Sequence, residues 1–121
     1  MQIFGRALVE SFLFMDGKCI VSYIRKKVMD FYGVKPKDLD GIVSQLRNTR
    51  GVEVAIFMYE LDQNVFKVSL RSGDQVDVSQ VAGYFGGGGH EKASGVTMTG
   101  TPQDILNNLA ERIDEQLKGQ A

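Results

Sequence analysis

Four consecutive glycines directly precede the only histidine of this 121-residue chain, at residues 86–90. Glycine loses more conformational entropy on folding than any other residue, so such a run opposes folding unless the backbone needs unusual dihedral angles or a very close approach. The N–H groups of a glycine-rich loop can converge on an anion, and a histidine at its end adds a donor that can carry charge near neutral pH. The run therefore predicts a binding loop with phosphate as its ligand.

A flexible linker or a purely structural turn is the alternative interpretation of the same run. Linkers are usually rich in glycine and serine and flanked by polar chain. Here the run follows the largely apolar residues 81–85 and leads into residues 93–96, which continue a structured pattern. A lone histidine is also more often a residue without chemistry. The flanking sequence favours a ligand loop inside a fold.

Length and composition indicate one domain that can fold alone. No apolar run approaches the roughly 20 residues of a membrane span, so no membrane partner is expected. A single cysteine, Cys19, and the lack of a signal-peptide pattern predict a cytoplasmic location. The net charge of −1 argues against a broad footprint for long nucleic acid, so phosphate binding must be local. One histidine and one cysteine cannot build the usual metal sites, and no metal is expected in this chain.

Hydrophobic periodicity and turn signals predict an α+β fold. Strands are expected at 7–14 and 19–24 around an Asp16-Gly17 turn, at 52–59 and 65–72, and at 96–99; helices are expected at 25–32, at 38–47, at about 78–85 after a cap at Asp77 or Ser79, and from Thr101-Pro102 onward. Together these elements predict a single domain, residues 1–121, in which helices pack on a five-stranded mixed sheet.

Arg71 is the second candidate for phosphate binding. Alternation in the strand 65–72 places three apolar residues on one face and Arg71 on the other, away from the core. One short helix separates this strand from the glycine run, so Arg71 and His90 can reach the same edge of the sheet. There, the planar guanidinium would bind a phosphate, glycine N–H groups would bind other oxygens, and His90 would donate a further hydrogen bond.

Other residues are weaker candidates. Arg47, Lys67 and Lys92 could add positive charge, although a solvated surface position is the commoner role for such side chains. Tyr84 and Phe85 could stack on a base, although Phe85 is expected in the core. The chain has no second histidine, no recognisable nucleophile turn and no informative Cys–His spacing. The residues by themselves predict anion binding and no catalytic set.

A fixed order of short motifs runs through the chain: residues 68–72 (Val-Ser-Leu-Arg-Ser), 76–78, 81–85 and 86–95. In order and spacing these motifs resemble the C-terminal DHH-associated domain of DHH-family phosphoesterases. Residues 40–43 and 51–55 are also similar to that domain in the oligoribonuclease branch, which includes nanoRNases and bifunctional phosphoadenosine-phosphate phosphatases, and in the related cyclic di-AMP phosphodiesterases. The resemblance spans nearly the whole chain. It departs at Ser94, where alanine is common, and is looser at residues 46–50, which leaves the substrate within the family open.

The resemblance implies a two-domain enzyme of which this chain is the second domain. In the family, an N-terminal domain with an Asp-His-His motif binds two manganese ions and activates the attacking water. No Asp-His-His occurs in this sequence, so the chain is expected to hold no catalytic residue and to hydrolyse nothing alone. The residues carried over as substrate-binding are Arg71, Gly87, Gly88, Gly89 and His90, with Gly86, Ser72, Arg47, Lys92 and Tyr84 as further candidates.

The implied ligands are short RNA, phosphoadenosine phosphate or a cyclic dinucleotide. The implied partners are the DHH catalytic domain and, in the parent enzyme, a second copy in a homodimer. One alternative is a stand-alone module for single-stranded nucleic acid, since related domains occur in single-strand exonucleases and alanyl-tRNA synthetases, but the near-zero net charge argues against it. Another is a structural or dimerising domain that binds no nucleotide.

Overall fold

A six-stranded sheet with helices on both faces is the framework of the protein. The computed structural model describes residues 10–119. In chain order the elements are β1 (Phe12–Phe14), β2 (Cys19–Ile24), α1 (Lys26–Tyr32), a 3₁₀ helix (Pro36–Leu39), α2 (Ile42–Arg47), β3 (Val54–Asp62), β4 (Val65–Ser72), α3 (Val78–Tyr84), β5 (Gly88–His90), β6 (Ala93–Thr99) and α4 (Pro102–Gly119). The strand order is β1-β2-β3-β4-β6-β5, with β2 and β3 parallel and all other neighbours antiparallel. The predicted α+β class with a mixed sheet is confirmed.

The prediction of five strands is wrong, because the glycine run itself contains a sixth strand, β5. Its pairs with β6 are Gly88 with Gly95, Gly89 with Ser94 and His90 with Ala93. Glycine is depleted in strands and offers no alternation of side chains, so the sequence gives no strand signal here. The pairing depends on close packing instead: an added Cβ at Gly89 would lie 2.6 Å from the carbonyl oxygen of Ala93.

The helix predicted at 38–47 is also wrong in extent. The chain forms the 3₁₀ helix and α2 as two pieces, because Gly41 between them has a φ of 90° and cannot continue a right-handed helix. The apolar stripe that suggested one helix is buried all the same, at Leu39, Ile42, Val43 and Leu46. The remaining helices match their predicted places, and Gly33 ends α1 in the left-handed conformation (φ 66°).

Turn and cap residues act as their chemistry predicts. Asp16 and Gly17 both have positive φ in the tight turn between β1 and β2, while the part of the first predicted strand at residues 7–9 lies outside the described residues. The Asp77 carboxylate caps α3 by accepting from the backbone N–H of Ser79 (2.9 Å). The Thr101 hydroxyl accepts from the N–H of Asp104 (3.1 Å) at the start of α4.

The two faces of the sheet are covered unequally. Helices α3 and α4 pack over one face and bury, among others, Phe66, Val68 and Leu70 of β4. On the other face, α1, the 3₁₀ helix and α2 form a second core with β2 and β3. Beyond these strands that face carries polar or small residues of intermediate or full exposure on β4, β6 and β5. We call this part of the second face, formed by β4, β6 and β5, the open face.

None of the helices between residues 10 and 119 is both long and apolar enough to cross a membrane.

Candidate functional site

Arg71 and His90 lie in one row across three strands of the open face. Arg71 of β4 pairs with Ala93 of β6, and Ala93 pairs with His90 of β5. Residues directly opposite each other share a face, and neighbouring strands are about 4.8 Å apart, so the two Cα atoms are separated by roughly 10 Å. We call these three residues the Arg71 row. The structure thus brings the two strongest sequence candidates to the same side of the sheet.

The guanidinium of Arg71 has few partners inside the protein. Within residues 10–119 its hydrogen bond is from Nε to the Ser44 hydroxyl of α2 (3.4 Å), and it forms no ion pair there. The side chain of Arg71 is partly exposed, and His90 at the other end of the row is exposed. The two terminal nitrogens of Arg71 therefore remain available to a bidentate anion such as phosphate.

The adjacent row of the open face has almost no side chains. Ser69 of β4 pairs with Gly95 of β6, which pairs with Gly88 of β5; we call these residues the Ser69 row. An added Cβ at Gly88 would meet no atom of residues 10–119 within 4 Å. An added Cβ at Gly95 would lie 3.6 Å from the Lys67 ammonium nitrogen, so that side chain extends over this glycine. The result is a flat polar floor beside Arg71.

The four glycines of the run have different structural roles. The N–H groups of Gly86 and Gly87 donate to the carbonyls of Gly83 (3.1 Å) and Ala82 (2.8 Å), which closes the end of α3. Gly86 and Gly89 also have positive φ, and a Cβ at Gly87 would collide with β6. Two of the N–H groups expected to bind an anion therefore serve the helix end. Only Gly88 has neither a positive φ nor a neighbour that excludes a side chain.

A groove next to Arg71 extends the open face toward α2. It has a volume of about 340 Å³ and lies between the 3₁₀–α2 segment and strands β3 and β4. Its charged lining residues are Lys37, Lys67 and Arg71 against Asp40. Three cations against one carboxylate make this region locally positive, although the whole chain has a net charge of −1. Phosphate binding by a chain with a net charge near zero needs a local positive region of this kind.

Two of the weaker candidates lie on the opposite side of the sheet. Ser72 belongs to the buried face, and its hydroxyl donates to the carbonyl of Val76 (2.7 Å). Tyr84 is exposed on α3, where the Arg112 guanidinium lies 4.4 Å from its ring centroid. The geometry does not bring either residue to the Arg71 row.

Arg47 and Lys92 are nearer but have their own surroundings. Lys92 forms an exposed ion pair with Asp74 (2.8 Å), and its hydrogen bond holds the pKa of that carboxyl below its ordinary value. Arg47 lies with Glu53 against Gly73, and its Nε is buried without a hydrogen-bond partner in the described part of the chain. Both residues are therefore next to the turn that follows β4, and neither belongs to the open face.

Ser94, which departs from the family pattern, has a structural role. Its side chain is buried on the face opposite Arg71, and its hydroxyl donates to the carbonyl of Val78 (2.7 Å). This bond ties β6 to the first turn of α3. The substitution therefore has no direct contact with the open face.

Sequence reasoning missed Ser44 and the contribution of Gly95. Ser44 lies on the exposed side of a helix and gives no signal by itself. A glycine inside a strand pattern often marks a close backbone approach, so Gly95 could have been noticed. Among residues 10–119, no three histidine, cysteine, aspartate or glutamate side chains converge in a way that could hold a metal ion.

The fold and the candidate site together define the class of the protein. It is an α+β domain whose open face carries an arginine in one row with the histidine of a glycine-rich edge strand. The family model of the DHHA1 domain matches residues 16–119. The chain therefore belongs to the DHHA1 family, the DHH-associated domains of DHH phosphoesterases, as the motifs predicted.

The chain is also similar to individual proteins of known sequence or structure. It is 34% identical over 82 residues to the bifunctional oligoribonuclease and PAP phosphatase NrnA of Thermus thermophilus, an alignment that covers 67% of this chain and 25% of that protein. It is 49% identical over 49 residues to the oligoribonuclease NrnB of Bacillus subtilis, covering 40% of this chain and 12% of that protein. An exopolyphosphatase-related protein from Bacteroides fragilis shares the fold with a TM-score of 0.87 at 23% identity, over 97% of this chain and 34% of that one. The matched part of the chain thus spans a quarter or less of the length of each of these two curated relatives.

Proposed function

We propose that this domain binds the phosphate and nucleotide of the substrate of a manganese-dependent DHH phosphoesterase. The substrates proposed are short oligoribonucleotides, phosphoadenosine phosphate or cyclic dinucleotides. One observation carries the proposal: Arg71 and His90 share a row of the open face, next to a row that is nearly free of side chains. The activities for which the relatives are named, oligoribonuclease and PAP phosphatase, support the same class of ligand.

In this proposal, Arg71 binds two oxygens of one phosphate through its free terminal nitrogens. A charge-assisted, bidentate bond of this kind is stronger and more directional than a lysine contact. His90 donates a ring N–H to the same phosphate from the other end of the row. Gly88 lets the ligand approach the backbone of β5 because no side chain stands above it.

The proposal also includes a catalytic domain that is not part of this sequence. A DHH catalytic domain outside this chain, with two manganese ions, would supply the activated water for phosphoester hydrolysis. Residues 1–121 would form the substrate-binding domain of a cytoplasmic, homodimeric parent. The chain itself then holds and orients the phosphate and performs no chemistry.

A titration of the ¹⁵N-labelled chain followed by NMR tests the proposal. We expect 5′-phosphorylated triadenylate or cyclic di-AMP to shift the amides of Gly88 and His90 and the side chain of Arg71. Arg71→Ala should weaken binding at least tenfold, because a hydrogen bond to a charged group contributes about 1.5–3 kcal/mol and 1.4 kcal/mol is a factor of ten. Arg112→Ala removes an arginine from the opposite face and should leave the affinity unchanged.

Three results would contradict the proposal. They are a lack of shifts on the open face with every ligand, equal affinity of Arg71→Ala and the unaltered chain, and tight binding only to long single strands with a steep salt dependence. The last result would favour a single-strand-binding module, since the salt slope grows with the number of phosphates contacted.

A further inference from the structure

Lys67 lies on the open face together with Arg71. Lys67, Ser69 and Arg71 alternate along β4 and therefore point to the same side of the sheet. Each two-residue step spans about 7 Å, so the Cα atoms of Lys67 and Arg71 are roughly 14 Å apart. The Lys67 side chain shortens this separation, because its ammonium lies over Gly95, in the Ser69 row. The Lys67 ammonium thus lies over the row next to the one from which Arg71 projects.

Within the described part of the chain, the ammonium of Lys67 has no carboxylate partner. Across residues 10–119 the ion pairs involve other lysines and arginines, and no hydrogen bond of Lys67 is found. Lys67 and Arg71 also line the same groove. Two like charges that face one groove repel each other, and an anion with two charged groups would relieve this repulsion.

Resting on the proposed function, we propose that Lys67 binds a second phosphate, one nucleotide repeat away from the phosphate on Arg71. A step of about 7 Å along a strand is comparable to the distance between the phosphates on the two sides of one ribose. In the Ser69 row the Lys67 side chain extends over Gly95, whereas an added Cβ at Gly88 would meet no atom of the described residues within 4 Å, so there is room for a sugar above Gly88. The ligand is then a ribonucleoside with phosphate on both its 5′ and its 3′ oxygen.

This chemistry occurs in two sources, a linear oligoribonucleotide and a free nucleoside 3′,5′-bisphosphate. In both, Lys67 determines the preference over a nucleoside monophosphate, while Arg71 is needed by all three ligands. The two residues therefore have separable effects on binding.

Isothermal titration with three ligands separates these effects. The ligands are adenosine 5′-monophosphate, adenosine 3′,5′-bisphosphate and 5′-phosphorylated diadenylate. The unaltered chain should prefer the two ligands with two phosphates by about tenfold, the effect of one added phosphate contact of about 1.4 kcal/mol. Lys67→Met keeps the apolar stem and should lose this preference without weakening the monophosphate. Lys67→Arg should retain the preference. Lys27→Met, on α1 outside the groove, should have the same affinities as the unaltered chain.

The inference is overturned if Lys67→Met leaves the preference intact, or if it weakens all three ligands by the same factor, as general loss of charge would. A loss confined to the bisphosphate or to the diadenylate supports the inference and identifies the source. Failure of the proposed function has a different signature: no ligand binds, or Arg71→Ala binds the monophosphate as well as the unaltered chain does.

Discussion

The substitution Gly88→Ala distinguishes a glycine that the fold requires from a glycine that the proposed ligand requires. Alanine fits at this position, because no atom lies within 4 Å of the added Cβ and the φ of Gly88 is not positive. Replacing glycine by alanine where the backbone permits it stabilises a protein by about 0.4–1 kcal/mol, through the lower entropy of the unfolded chain. We therefore expect the free energy of unfolding to stay the same or to rise by up to about 1 kcal/mol.

The same methyl group should weaken ligand binding. It would stand on the open face in the Ser69 row, where the proposed ligand approaches the backbone. Displacing the ligand would lengthen a charge-assisted hydrogen bond, and the loss of about 1.4 kcal/mol corresponds to a tenfold weaker affinity. Gly88→Ala should therefore bind 5′-phosphorylated diadenylate at least tenfold more weakly while remaining fully folded.

Urea denaturation and isothermal titration measure the two effects on the same samples. Gly83→Ala is the matched control: it lies in α3, its added Cβ also meets no atom, and it should stabilise the helix by about 1 kcal/mol without changing the affinity. Gly89→Ala should instead destabilise the protein, because its φ of 145° and the nearby Ala93 carbonyl both oppose a side chain. Wild-type affinity in Gly88→Ala would refute the proposed ligand approach, and a destabilisation as large as that of Gly89→Ala would refute the steric argument.

Two further predictions concern pH and stability. Burial alone would raise the pKa of Glu60, but the N–H groups of Lys26 and Asn64 (both 2.9 Å) and the Arg25 guanidinium (3.2 Å) outweigh it and hold the pKa below the ordinary 4.5. This stabilisation is present above pH 4.5 and is lost as the pH falls through the folded-state pKa of Glu60. Glu60→Gln should therefore lower the free energy of unfolding by about 2 kcal/mol at pH 7 and by progressively less in acid. If urea denaturation shows that the loss of unfolding free energy in Glu60→Gln does not vary with pH, this reasoning is contradicted. Burial raises the pKa of Cys19 from 9.0 to about 12, with smaller contributions from nearby carboxylates, so the thiol ionises first in the unfolded chain. The free energy of unfolding should fall by about 1.4 kcal/mol per pH unit from pH 9 toward 12, and Cys19→Ala should lack this component; equal slopes would exclude it.

The sequence predicted β4 well and the glycine run only in part. In β4, apolar and polar residues alternate, and this period directly specifies which side chains are buried. In the run at residues 86–90 there is no side-chain pattern, so strand β5 depends on contacts with β6 that lie later in the chain. The break at Gly41 was equally hidden, since the apolar stripe on either side keeps a helical spacing across it.

The residue types of the candidate site could be proposed from the sequence, but their arrangement could not. Arg71 and His90 were identified from their surroundings in the sequence, yet their common row depends on the register of three strands. The position of Ser72 and Tyr84 away from the Arg71 row also required the structure, because neighbours in sequence lie on opposite faces of a strand or on a helix behind the sheet. Lys67 was found as a charge, and its position over Gly95 was not visible from the sequence.

The unequal covering of the sheet gives β4 two environments at once, and this has a consequence for binding. Phe66, Val68 and Leu70 are fully buried, so the backbone of β4 is held by the core on one side. The side chains that alternate with them, Lys67, Ser69 and Arg71, therefore project from a rigid strand even though they face the open side. A ligand that binds them loses little free energy to ordering the backbone, and only side-chain rotamers must be fixed. The edge strand β5, with two glycines and His90, places little side-chain bulk beside these residues, so one short segment can both pair with β6 and make the proposed phosphate contact.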